Sequence, residues 1–93
     1  MVEENSESTM FWVYSVYNAV YKKVYIGQTE NIERRIKEHN DQFNPRYKFT
    51  RRFTGKWGLI YSEQVNSRKE ALASEKQLKS YKGREYLRAY IPR

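Results

Sequence analysis

Apolar and polar positions alternate and cluster along the chain in a way that predicts a short series of elements. Phe11 to Tyr17, FWVYSVY, is a β-branched and aromatic run that fits a pleated strand. After a polar-led break from Asn18 to Lys22, the segment Lys23 to Gly27, KVYIG, predicts a second strand, and the close spacing favours an antiparallel hairpin. Pairing Tyr17 with Lys22 in that hairpin places Tyr14 directly opposite Tyr25 on one sheet face.

Thr29 is then positioned to cap a helix running to about Asn40, with Ile32 and Ile36 as its apolar stripe. Arg35 and His39, four apart, flank that stripe, and Arg34 points away from it. Asp41 to Lys56 reads as a loop, and Trp57 to Val65 as a third strand with Gly58 as its weak point. Ser67 to Glu70, S-R-K-E, is a capping-box pattern that opens a helix running to about Tyr81, where Lys82 and Gly83 interrupt it. Arg84 to Ile91 predicts a further short helix before Pro92. The order β-β-α-β-α with a short C-terminal helix predicts an α+β fold, a three-stranded antiparallel sheet flanked by helices.

Composition adds three constraints. With no cysteine, disulfides, thiolate metal sites and cysteine nucleophiles are excluded. No apolar run approaches the roughly 18 residues of a membrane helix, so no membrane partner is expected. The formal charge is +7 over 93 residues, and residues 1–9 carry three glutamates and no lysine or arginine, so the remainder carries +10. The expected organisation is an acidic, disordered tail over residues 1–9 and a single basic domain over residues 10–93, whose field favours a polyanion.

Several residues stand out against this pattern. On the second helix, Ala71, Leu72 and Leu78 define an apolar face, and Glu75 projects within it. A carboxylate there must be paired or bound to a cation, either through an i,i+4 bridge to Lys79 or as a metal ligand. Arg35 can lay its stem along the core, and His39 can complement a helix dipole; the alternative for both is a place in a site. Tyr14 and Tyr25 form either a packing pair or two phenols at the mouth of that site. The loop containing Arg46, Lys48, Arg51 and Arg52 interleaves cations with Tyr47, Phe49 and Phe53, which suits phosphates and unpaired bases as well as a solvated surface.

These residues also resemble a known family. Trp12-Val13-Tyr14 followed by Tyr25-Ile26-Gly27 is similar to the paired motif that names the GIY-YIG nucleases, with Trp12 where the family often has glycine. The run Tyr25 to Asn40, YIGQTENIERRIKEHN, and the helix Ser67 to Lys79 extend the resemblance from Phe11 to about Tyr81. It is nearest to small stand-alone members, which are similar to the N-terminal nuclease domain of the bacterial excision-repair incision subunit.

The resemblance implies a metal-dependent DNA endonuclease, with catalytic roles for Tyr14, Tyr25, Arg35, His39 and Glu75. Tyr14 matches a general base toward water, Tyr25 a residue orienting that water, and Arg35 an arginine steadying the scissile phosphate. His39 matches an accessory histidine, and Gly27 a glycine that lets the backbone turn beside the site. Glu75 matches the single carboxylate that holds Mg2+ or Mn2+. Arg46, Lys48, Arg51, Arg52 and Lys79 are the expected DNA contacts. Branched or single-stranded DNA, with weak sequence preference, is the expected partner, in the cytoplasm of a bacterial cell. The asparagine that many members carry near the end of the domain has no counterpart after Lys82. A non-catalytic nucleic-acid-binding module is the alternative. One chemical difficulty stands: a phenol titrates near ~10, so Tyr14 is a reluctant base at neutral pH without help.

Overall fold

A computed structural model describes residues 10–41, 53 and 55–92. The elements are β1 (Phe11–Asn18), β2 (Lys23–Thr29), α1 (Ile32–His39), β3 (Trp57–Val65), α2 (Arg68–Lys79) and α3 (Tyr81–Arg88). The sheet has three antiparallel strands in the order β2-β1-β3, so the predicted α+β architecture holds and β2 lies at an edge.

The central strand builds two cores because its side chains alternate between faces. Phe11 and Val13 point to one face, where they pack with Ile26, Ala71, Leu78 and Leu87 beneath α2 and α3. Tyr14 and Val16 point to the other, where they meet Trp57, Ile32 and Ile36 beneath α1. The β1–β3 register shifts between Ser15 and Val16, a bulge that keeps Trp57 on the α1 side while Tyr61 and Val65 stay on the α2 side.

The hairpin register differs from the expectation by two residues. Tyr14 lies opposite Gly27, and Tyr17 opposite Val24. The cause is the turn: the Asn18 Oδ1 accepts from the backbone N–H groups of Val20 at 3.0 Å and Tyr21 at 3.1 Å, and Lys22 adopts a φ of 56°. This polar connection lets Asn18 close the pairing with Lys23. An even shift leaves both tyrosines on the same face, as diagonal rather than direct neighbours.

The cap of α1 is Asn31, whose side chain accepts from the Arg34 N–H at 3.0 Å, and not Thr29, which ends β2. At the other end of α1, Asn40 bonds both backbone groups of Trp57: its Oδ1 accepts from the Trp57 N–H at 2.7 Å and its Nδ2 donates to the Trp57 carbonyl at 3.0 Å. Ser67 caps α2 as expected, accepting from the Glu70 N–H at 3.1 Å, while the Glu70 carboxylate reaches back one residue further than a capping box requires, to the Asn66 N–H at 3.0 Å.

Two further expectations are corrected on α2 and α3. Leu72 is 54% exposed, so the buried face of α2 rests on Ala71 and Leu78. Gly83 does not break a helix but lies buried inside α3, which Ser80 caps by accepting from the Gly83 N–H at 3.2 Å. A Cβ at Gly83 would fall 2.2 Å from the Gln77 carbonyl oxygen, so the close crossing of α3 over the end of α2 requires glycine there. Among the described residues no helix is long and apolar enough to cross a membrane.

Candidate active site

The α1 face of the hairpin gathers three of the predicted residues. Tyr14 and His39 are each 1% exposed, and the Tyr14 hydroxyl shares a 2.6 Å hydrogen bond with His39 Nε2. Tyr25 is half-buried beside them, its ring centroid 4.7 Å from that of His39 and 6.4 Å from that of Tyr14. Gly27 makes the cluster possible. A Cβ there would sit 3.0 Å from the Tyr14 hydroxyl and 3.0 Å from Tyr25 Cε1, so any side chain would press the two phenols apart.

Arg35 reaches the cluster from the exposed side of α1. Its Nε donates to Thr29 Oγ1 at 3.0 Å and its Nη1 to Glu38 Oε1 at 2.9 Å. Thr29, only 4% exposed, also accepts from the Asn31 N–H at 3.0 Å, so one hydroxyl ties the end of β2, the cap of α1 and the guanidinium together. Thr29 is thus a positioning residue, a role hidden in the sequence by its fitness as a helix cap.

The electrostatics of His39 follow from its burial. Desolvation first, and the neighbouring Arg35 second, lower its pKa from 6.5 to about 4, against a smaller opposing pull from Glu38. His39 is therefore neutral at pH 7, with a lone pair on one ring nitrogen. The Tyr25 phenol is pushed up by burial and by Glu75, while Arg35 pulls it down. Tyr25 accordingly stays protonated and can act as a hydrogen-bond donor.

That opposition also locates Glu75. It stands on α2, on the other face of the sheet, and reaches the free edge of β2, where its Oε1 accepts from Gln28 Nε2 at 3.2 Å. Its Oε2 pairs with Lys79 Nζ at 2.7 Å. The i,i+4 bridge to Lys79 therefore forms, and the same carboxylate also lies at the β2 edge beside Gln28. Lys79 is committed to Glu75 rather than to solvent alone. The expected DNA contacts Arg46, Lys48, Arg51 and Arg52 lie outside the described residues.

The donor set suits a hard cation. Among the described residues no group of three or more His, Asp or Glu side chains converges. Glu75 instead offers one carboxylate, which accepts from Gln28 Nε2, and the other end of that amide, Gln28 Oε1, is buried with no hydrogen-bond partner. One or two oxygens match Mg2+ or Mn2+, which retain several waters, and do not match zinc. Sequence reading missed Gln28; its only signal was an uncharged polar residue in a strand position whose neighbours Val24 and Ile26 face the core.

Phenols on β1 and β2, a guanidinium on α1 and a carboxylate on α2 thus border one hairpin. The chain belongs to the GIY-YIG family, a nuclease family, whose model, described as the GIY-YIG catalytic domain, matches residues 10–87. It is similar to a UPF0213 protein of Staphylococcus haemolyticus, 34% identical over 65 residues that span 70% of this chain and 76% of the relative. It is also similar to the solution NMR structure of a UPF0213 protein from Bacillus halodurans, with a TM-score of 0.50 and 27% identity over 86% of this chain and 83% of that one.

Proposed function

We propose that this protein is a divalent-metal-dependent endonuclease that hydrolyses phosphodiester bonds in DNA, branched or single-stranded forms above all, in repair or recombination in the bacterial cytoplasm. The observation that carries the reading is the cluster on the hairpin, with Tyr14 bonded to His39 at 2.6 Å, Tyr25 packed on the His39 ring at 4.7 Å, and Arg35 fixed by Thr29 near enough for its charge to act on Tyr25 and His39. A phosphate placed against Tyr25 would meet a guanidinium on one side, and a carboxylate able to hold a cation on the other.

The chain's own residues divide the work. Arg35, held by Thr29 and Glu38, donates to the non-bridging oxygens where charge accumulates. Tyr25, protonated, donates a further hydrogen bond to the same oxygens. The attacking water must lose a proton, and Tyr14 can take it only by passing on its own. Neutral His39 supplies the acceptor at 2.6 Å, so the proton moves from water to the Tyr14 oxygen while the phenol proton moves to Nε2. A phosphate seated on Arg35 offsets one of the two influences that lower the His39 pKa, and so raises its basicity when substrate is present. Glu75, with the Gln28 amide beside it, would hold the metal. A divalent ion supplies Lewis-acid neutralisation of the leaving oxygen.

The test is nicking of supercoiled and flapped DNA by the purified chain with Mg2+ or Mn2+, beside Arg35→Ala and Glu75→Gln. Each variant is expected to lose about 100-fold or more in rate. Parent-like cutting by either removes that residue from the chemistry. A binding module without turnover is the second reading, favoured by the Lys79 ammonium that already neutralises Glu75 at 2.7 Å. It predicts salt-sensitive DNA retention with no metal-dependent nicking.

A further inference from the structure

A cavity of about 180 Å³ opens where β2 ends and where β1, α1 and α2 begin, and its lining includes Gln28, Thr29 and three arginines, Arg34, Arg35 and Arg68, against one carboxylate, Glu30. Its charge is unusual for so small a space, with three guanidiniums converging from two helices. The acids nearby do not match them. Glu38 is divided between Arg35 at 2.9 Å and Arg34 at 3.8 Å, and Arg68 forms no ion pair with a carboxylate among the described residues. Arg68 instead lies over the Phe11 ring, its Cζ 5.2 Å from the ring centre, a cation–π contact that leaves its N–H donors without a carboxylate partner among the described residues. The first turns of α1 and α2 add the positive ends of their dipoles to the same pole.

The cavity is continuous with the candidate active site because Arg35 belongs to both. Its guanidinium lines the cavity, and its charge acts on Tyr25 and His39. An anion in the cavity would therefore neighbour whatever Arg35 presents to the phenols. We propose that this pocket holds a second backbone phosphate of the nucleic-acid strand, gripped by Arg68 and Arg34, adjacent to the phosphate that Arg35 engages. The proposal rests on the nucleic-acid reading above and adds to it a direction: the strand runs along the free edge of β2 toward the N-terminus of α2. Arg68 and Arg34 are binding residues in this account and take no part in the chemistry.

The test is equilibrium binding of a fluorescein-labelled single-stranded oligonucleotide to the full chain across a salt series. Each lost phosphate contact reduces the slope of log K against log salt by about 0.7 for a single strand. Arg68→Gln is expected to lower the slope by that amount and to weaken binding about tenfold near ~50 mM salt. Arg34→Gln is expected to do the same, and Arg68→Lys to restore the slope while binding less tightly than arginine. Arg88→Gln, an exposed arginine on α3 paired with Glu85 at 3.6 Å, serves as the charge-matched control and is expected to keep the parent slope. Melting curves of Arg68→Gln and Arg34→Gln should match the parent, which confirms that the slopes report contacts and not folding. Unchanged slopes in both Arg68→Gln and Arg34→Gln, or an equal loss in Arg88→Gln, would overturn the pocket while leaving the endonuclease reading standing. A parent chain that shows no salt-dependent binding would overturn both.

Discussion

The chain has a single histidine, which makes its titration an isolated experiment. In the unfolded chain His39 takes up a proton near the ordinary 6.5, and in the folded protein only near about 4. Between those values the unfolded state binds more protons than the folded state, so stability falls as pH falls through 6.5 and the loss levels off below 4. The whole shift converts to about 3 kcal/mol. Solvent at the rim, where Arg35 and Tyr25 are partly exposed, screens it to about 2 kcal/mol, most of it lost by pH 5. Carboxylates titrate nearby as well, so the informative quantity is a difference between proteins. Urea unfolding followed by the fluorescence of the two tryptophans, Trp12 and the buried Trp57, would be measured from pH 8 to pH 4 for the parent and for His39→Gln, which keeps a polar tip without titrating in this range. The parent curve should fall more steeply by about 2 kcal/mol. Parallel curves, or a histidine Cε1 proton resonance that titrates at 6.5 or above, would refute the neutral, buried imidazole and with it the proton acceptor for Tyr14.

Two further outcomes are expected. Gly83→Ala must push α3 away from the end of α2, because its Cβ meets backbone atoms of Gln77 and Leu78 at 2.2 and 2.5 Å; a loss of about 1–3 kcal/mol should appear as a lower urea midpoint, and an unchanged midpoint would contradict the close crossing. Lys79→Gln removes an exposed pair worth about 0–1 kcal/mol, so the fold should persist while the freed Glu75 carboxylate binds Mn2+ several-fold more tightly by calorimetry; equal or weaker binding would mean that the lysine does not compete with the ion.

The sequence carried the elements well because each had a local cause. The apolar runs of β1 and β3 and the Ser67 cap depend on neighbours a few residues away. What it did not carry depends on atoms brought together by folding. Asn18 folding its side chain over the turn set the hairpin register, and no alternation of residue types could reveal that. Thr29 was suited to cap a helix, yet Asn31 took the cap and left Thr29 to hold Arg35. Gly83 had the composition of a break, and only the approach of α3 to α2 turned it into a packing requirement. For the site, Tyr14, Tyr25, Arg35, His39 and Glu75 were identifiable from a family resemblance, but the Tyr14–His39 bond and the contact of Glu75 with Gln28 span 25 and 47 positions. Arg68 carried no signal in the sequence beyond its place in the S-R-K-E motif, and only the fold brings it to the same cavity as Arg35.

Asn40 holds more than the end of its own helix. Its side chain fastens the end of α1 to the start of β3 through two hydrogen bonds to Trp57, across 17 positions of sequence. On the way back to β3, Phe53 packs against the second core and its carbonyl accepts from Asn18 Nδ2 at 3.4 Å, so the return of the chain is fastened a second time. Exchanging Asn40 for a residue without an amide would therefore unfasten the helix that carries Arg35 and His39 from the strand that begins at Trp57, and loosen the site from a point that touches none of its groups.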